Sequence, residues 1–221
     1  MKRFGWLLWK DAVTELRSFE RLSTLLLFAV AVLVTLHFSL PPESTARPKV
    51  AAGFLWAALL FASLLELRRS FESERRDGTL DGLRASPLDP SLLYAGKVAS
   101  SVVVLGVLAA MLVPLTAVFF SGRPSGIAPA IGVALLGILG LVAWGTLFAA
   151  VAAGTRGAEI VLPVLLFPLV VPQTIACVRL LAYYLAGDKL SSLGTGYILL
   201  GAFDVLSLGT SLLLFDYVLE E

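Results

Sequence analysis

The chain has 221 residues, 58% of them apolar before its 19 glycines are counted, and only 15% charged; soluble domains run at roughly 45–50% apolar with glycine included and about 25% charged. A water-soluble globule of this size has too much surface for its volume to hide such an excess, a net charge of +1 leaves no basic surplus for a phosphate backbone, and Cys177 alone makes neither a disulfide framework nor a paired metal site. A soluble enzyme, a disordered chain, a disulfide-bonded secreted scaffold and a nucleic-acid binder are excluded, which leaves an integral membrane protein.

Residues 1–21 are amphipathic. Phe4, Leu8, Ala12, Leu16 and Phe19 recur at helical spacing on one stripe, Lys10, Thr14, Arg17 and Arg21 line another, and Trp6 and Trp9 suit the headgroup level. The segment runs straight into an apolar stretch, so the expectation is a helix lying in the membrane interface; the alternative is a soluble helix docked on another protein. The first apolar run, 22–40, is interrupted only by Ser, Thr and His37. With 21 residues before it and Ser39-Leu40-Pro41 where a small-residue cleavage site would stand, it is expected to remain as an anchor. Further runs follow at 50–65, 98–120, 128–153, 160–178 and 197–215. About 20 apolar residues cross the ~30 Å of hydrocarbon in a bilayer. The expected fold is therefore all-α: one polytopic membrane domain over residues 1–221, with six transmembrane helices behind the interfacial helix.

Charge orients the bundle. Twelve of the 17 Lys and Arg residues fall before the first run, within 66–97 and at Arg156; Arg47, Lys49, Arg123, Arg179 and Lys189 fall in the other connections. The basic side is the cytoplasmic one, which places both termini and the 66–97 connection in the cytoplasm.

That connection is the most informative stretch. Glu72 precedes Arg76 by four residues and Glu66 precedes Arg69 by three, so the second helix can continue into water. Asp77-Gly78 is a break, 79–84 is a short helical turn, and Ser86-Pro87 closes it because a residue before Pro avoids the helical region. Asp89-Pro90 starts the third helix, with Asp as cap and Pro at the first position. Leu80 and Leu83 then form an apolar knob that either seeks a partner or folds back onto the bundle. Later in the chain, Ala130, Ala134, Gly137 and Gly140 give the fourth run a small-residue face for close packing. Pro163, Pro168 and Pro172 each remove a backbone donor from the fifth run; the resulting bent helix either lines a pathway and moves between states or is simply a packing element. Gln173 joins them as a pathway or conformational candidate. Residues 179–186, with Tyr183 and Tyr184, read as a half-helix at the outer interface. Asp204 lies inside the sixth run, where an acid is costly and by default functional, although Ser207, Thr210 and Ser211 also suit a packed hydrogen-bonding role.

The run from Glu74 through Leu83, then Ser86-Pro87, then Tyr94-Ala-Gly-Lys97, resembles the intracellular signature of ABC-2-type transporter permeases. With the chain length, the six runs and the Leu162–Pro172 stretch, the narrower similarity is to the haem exporter B family, the CcmB-type permeases of cytochrome c maturation. The resemblance covers nearly the whole chain. It implies a permease subunit in the bacterial inner membrane, not an enzyme, whose short coupling helix seats in a cleft of a separate ABC ATPase. Arg76, Asp77, Gly78, Thr79, Leu80, Asp81, Gly82, Leu83 and Pro87 would make that contact. It further implies a homodimer, two ATPase subunits, a haem-handling membrane partner and, indirectly, a periplasmic haem chaperone. Haem would be the substrate, or ATP would drive release of haem-loaded chaperone; this chain would bind no cofactor, and ATP would sit on the partner. The absence of a G-x-x-x-x-G-K-[ST] loop agrees. His37, the single histidine, is a candidate haem ligand through its imidazole, against the plainer reading of an interfacial polar residue. Two alternatives stand: an ABC-2 permease exporting a lipid, drug or polysaccharide, and a membrane-embedded enzyme, for which the spans offer no nucleophile with a base, paired acids or metal cluster.

Overall fold

The computed structural model describes residues 19–41, 47–76, 90–153, 158–187 and 193–220, and among them every regular element is helical. The helices are α1 (Phe19–Phe38), α2 (Arg47–Arg76), α3 (Pro90–Phe119), α4 (Ile127–Ala153), α5 (Ala158–Ala186) and α6 (Leu193–Glu220), with a 3-10 turn, Pro124–Gly126, leading into α4. Five stretches are long and apolar enough to cross a bilayer: Lys49–Ser70, Ser91–Phe119, Pro124–Ala152, Ile160–Ala186 and Leu193–Phe215. The first run is shorter than expected. Its apolar part is Leu22–Phe38, about 25 Å at 1.5 Å per residue, because the helix unwinds through Ser39 and Leu40 ahead of Pro41 and Pro42. The six-span expectation thus becomes five full-length apolar helices and one shorter one. Most of the expected interfacial helix, residues 1–18, lies outside the described residues.

The helix boundaries around the 66–97 connection agree with expectation, while the surroundings of Glu66 and the 179–186 stretch do not. The 66–97 connection is largely helix: α2 continues to Arg76 and α3 begins at Pro90, where the Asp-Pro start was read. Glu66 is not solvated but fully buried, as is Leu67, because this turn of α2 still packs on α4. Residues 179–186 are not a separate half-helix. They continue α5 without a break, since Leu180, Leu181 and Leu185 stay in the core while Arg179 reaches the surface.

Successive helices run antiparallel. His37 at the end of α1 meets Phe119 at the end of α3, Lys97 near the start of α3 meets Ser70 on α2, and Tyr94 meets Phe215 near the end of α6. The ends facing the 77–89 segment form the basic end of the bundle; His37 marks the opposite end. At the centre stands α4, packed against α2, α3, α5 and α6. Residues 140–147 are buried all round, as expected for a helix apolar on every face. Its small-residue face does what the spacing implied. Gly137 leaves room for the Trp56 ring and the Cys177 sulfur, Gly140 for Gln173 and Asp204, and Gly145 for Leu67. The outward faces of α5 and α6 carry Val164, Ile175, Ile198, Val205 and Leu213 exposed, as suits helices whose solvent is lipid.

At the end opposite the basic one, the α3–α4 turn is locked to α5. Ser121 takes a positive φ of 55°, Gly122 N–H donates to Ala117 O at 2.7 Å, and Arg123 N–H donates to Leu185 O at 2.8 Å. Gly187 ends α5 with φ 70°, the left-handed closing conformation that glycine supplies, and its N–H donates to Tyr183 O at 3.0 Å. A side chain at Gly126 would run into the Tyr184 backbone carbonyl. Nearby, the Tyr184 and Tyr197 hydroxyls share a hydrogen bond of 2.9 Å, joining α5 to α6.

Candidate functional site

Two of the polar residues singled out within the spans meet in the bundle core. Gln173 on α5 is fully buried, and Asp204 on α6 nearly so. The Gln173 side-chain N–H₂ donates to Gly137 O at 2.8 Å and to Asp204 Oδ1 at 3.4 Å. Both are possible because α4 presents glycine here: a Cβ on Gly140 would overlap Asp204 Oδ1 and Gln173 Nε2. Ser207 Oγ donates to Asp204 O at 2.9 Å within α6. On the far side of Gly137, Trp56 Nε1–H donates to Thr174 Oγ1 at 3.1 Å, tying α2 to the residue after Gln173. Four helices therefore converge on a small polar junction.

The junction has spare acceptors. Gln173 uses both amide hydrogens, while Gln173 Oε1 and Asp204 Oδ2 are buried with no hydrogen-bond partner among the described residues. Polar groups inside a bilayer are retained where they pair or serve a function, and buried acceptors without a donor cost free energy. What the described groups make here is hydrogen bonds, from the Gln173 amide to the α4 backbone and to the Asp204 carboxyl. The junction ties α4, α5 and α6 together in one register.

The remaining candidates lie elsewhere. Pro168 and Pro172 are on the exposed face of α5 and Pro163 is half-buried, so the prolines do not line the interior beside Gln173. His37 sits in an aromatic cluster at the end opposite the basic one, its ring 5.4 Å from Phe38, 5.6 Å from Phe119 and 5.1 Å from Phe120. Among the described residues no three His, Cys, Asp or Glu side chains are grouped to hold a metal ion. Arg76 is the last residue of α2. Asp77, Gly78, Thr79, Leu80, Asp81, Gly82, Leu83 and Pro87 lie outside the described residues.

The basic end holds contacts that residue type alone did not single out. Lys97 Nζ donates to Ser70 O at 3.2 Å and to Ser70 Oγ at 3.4 Å, clamping the first turns of α3 to the last turns of α2. Tyr94, 1% exposed, donates its hydroxyl to Ala143 O on α4 at 3.0 Å. Its ring lies 5.1 Å from that of Phe215 on α6. Both Tyr94 and Lys97 stand in the Tyr-Ala-Gly-Lys stretch that carried the resemblance. A buried tyrosine one turn into a helix was the available signal.

A family model described as CcmB protein matches residues 2–216 of the chain. A heme exporter protein B of Pseudomonas aeruginosa is 30% identical over 173 residues, covering 78% of this chain and 77% of its own. The heme exporter protein B of Rhodobacter capsulatus is 30% identical over 68% of this chain and 69% of its own. That of Paracoccus denitrificans is 31% identical over the same shares.

Proposed function

This chain belongs to the CcmB family, and we propose on that footing that it is the membrane-spanning permease subunit of an ABC transporter for cytochrome c maturation. ATP hydrolysed on a partner subunit is coupled through the 77–89 segment to rearrangement of the helices, and the outcome is haem export or release of haem-loaded chaperone. The protein resides in the bacterial inner membrane as a homodimer with two ATPase subunits, alongside a haem-handling membrane protein that serves a periplasmic haem chaperone. The observation that carries this reading is the family match across residues 2–216. The clamped helix ends on both sides of the 77–89 segment support it, since force applied there meets a braced structure.

The chain has no phosphate-binding loop of the G-x-x-x-x-G-K-[ST] kind. Purified alone it is expected to hydrolyse no ATP, and from native membranes it is expected to co-purify with a soluble ATPase. Hydrolysis by the isolated chain, free of partner, refutes the division of labour.

Orientation follows from the basic asymmetry. Single cysteines at Ser44, Ser125 and Ser192 are expected to react with a membrane-impermeant maleimide in intact cells, and one at Ser86 is not. The single native thiol, Cys177, is replaced by alanine in these variants so that only the introduced cysteine can react. Labelling at Ser86 from outside overturns the orientation.

The Gln173–Asp204 junction is the conformational element of this mechanism. Asp204→Asn retains an acceptor for the Gln173 amide and is expected to keep thermal stability within about 1 kcal/mol, the scale of interhelical hydrogen bonds in membranes. Asp204→Leu leaves the Gln173 amide short of a partner and is expected to lower both stability and cytochrome c yield. Wild-type yield from the Leu variant would reduce the junction to packing.

A further inference from the structure

We infer that Tyr94 is the positioning residue that links the basic end of the bundle to the Gln173–Asp204 junction; the inference rests on the reading of 77–89 as the ATPase-docking segment. Tyr94 lies four residues into α3, one turn from the point where the chain re-enters the bundle after that segment. Its hydroxyl grips a backbone carbonyl, Ala143 O. A displacement of α3 is thus passed to the main chain of α4 rather than to a side chain that can rotate away. Ala143 is three residues from Gly140, the position against which Gln173 and Asp204 are packed.

The ring makes the second connection. Phe215, beside it, shares a buried stripe of α6 with Asp204, Ser207 and Ser211. Asp204 is eleven residues away along one unbroken helix, about 16 Å at 1.5 Å per residue. Tyr94 therefore touches both α4 and α6, which meet α5 at the junction, while Lys97 one turn later holds α3 to α2. A phenylalanine would fill the same space. The hydroxyl, which a buried tyrosine retains only with a partner, supplies the link to α4.

Cys177 is a native reporter of the junction, since its sulfur packs where a side chain on Gly137 would lie. The complex of this chain with its ATPase, in lipid nanodiscs, is treated with N-ethylmaleimide, and modification of Cys177 is followed by mass spectrometry with and without ATP. In wild type ATP is expected to accelerate modification. In Tyr94→Phe, with ATPase binding and hydrolysis retained, that acceleration is expected to fall roughly fivefold, the factor set by one ordinary buried hydrogen bond. Cytochrome c yield in cells should fall with it. Equal acceleration in the two proteins overturns the inference. So does a wild-type thiol indifferent to ATP while the ATPase remains bound, a result that leaves the permease reading standing. Loss of the ATPase from Tyr94→Phe would make Tyr94 a packing residue and overturn it too. Failure of wild type to bind any ATPase instead overturns the permease reading.

Discussion

A chain carrying Leu80→Asp and Leu83→Asp is expected to leave the membrane without its ATPase. The two leucines are spaced i, i+3 and would share one face of the short helical turn expected over 79–84. Small docking helices bind through a few buried apolar anchors inside a polar rim. Two carboxylates placed in such a cleft lose their water without gaining partners, at a cost of several kcal/mol. Affinity should then drop by about a hundredfold or more, since each 1.4 kcal/mol is a factor of ten. Asp81, expected at the rim where exposed charge contributes little, should tolerate Asp81→Ala with a slight loss. Both changes fall outside the apolar stretches, so the chain should insert as before, which rules out misfolding as the cause. Pull-down of the ATPase by wild type, the double variant and Asp81→Ala checks this. A double variant that keeps both its partner and cytochrome c maturation removes the coupling role from this turn.

Gly137→Leu is expected to be strongly damaging at the centre of the bundle. Even a Cβ at this position overlaps the Trp56 ring and the Cys177 sulfur. The indole cannot swing aside easily, because its N–H is held by Thr174 Oγ1 at 3.1 Å. Overpacking a core typically costs about 1–3 kcal/mol, and a branched four-carbon side chain at a helix junction belongs at the upper end. Thermal unfolding in detergent should show a large drop, with aggregation on gel filtration. Gly132→Ala provides the contrast: on the same helix, with nothing within 4 Å of the added methyl, it should be neutral or stabilise by up to ~1 kcal/mol through helix propensity. Equal stability of Gly137→Leu and Gly132→Ala would contradict the close approach of α2, α4 and α5.

What sequence could convey divides along physical lines. Apolar runs and the Asp89-Pro90 start are local signals, and α3 indeed opens at Pro90. The family resemblance, carried by a contiguous motif and the chain's overall plan, agrees with the match across residues 2–216. Helix ends were harder. Arg179 looked like the limit of a span, yet a long basic side chain can reach the surface from an apolar helix, and α5 runs on to Ala186. Glu66 looked like the edge of water because charge is usually solvated; only the packing of α2 on α4 shows it buried. Gln173 and Asp204 were visible separately as polar residues within apolar runs. Their pairing across 31 residues depends on which faces of α5 and α6 turn toward α4, and that is set by the glycines of a third helix. The prolines obey the same rule: Pro168 and Pro172 turn outward, a choice made by neighbours and not by proline.

The backbone locks between the α3–α4 turn and the end of α5 would make that end the pivot of any tilt of α4. Arg123 N–H on Leu185 O and the tight seat of Gly126 on the Tyr184 carbonyl pin three helices together at one end. Tilting about that point changes little near it and most at the far tip. α4 is 27 residues long, a rod of about 40 Å, so a tilt of about 5° would carry its far tip by roughly 3.5 Å at that length. A lever mounted this way would turn a small rotation into a movement as wide as a side chain, delivered at the basic end, while the pinned end kept its shape.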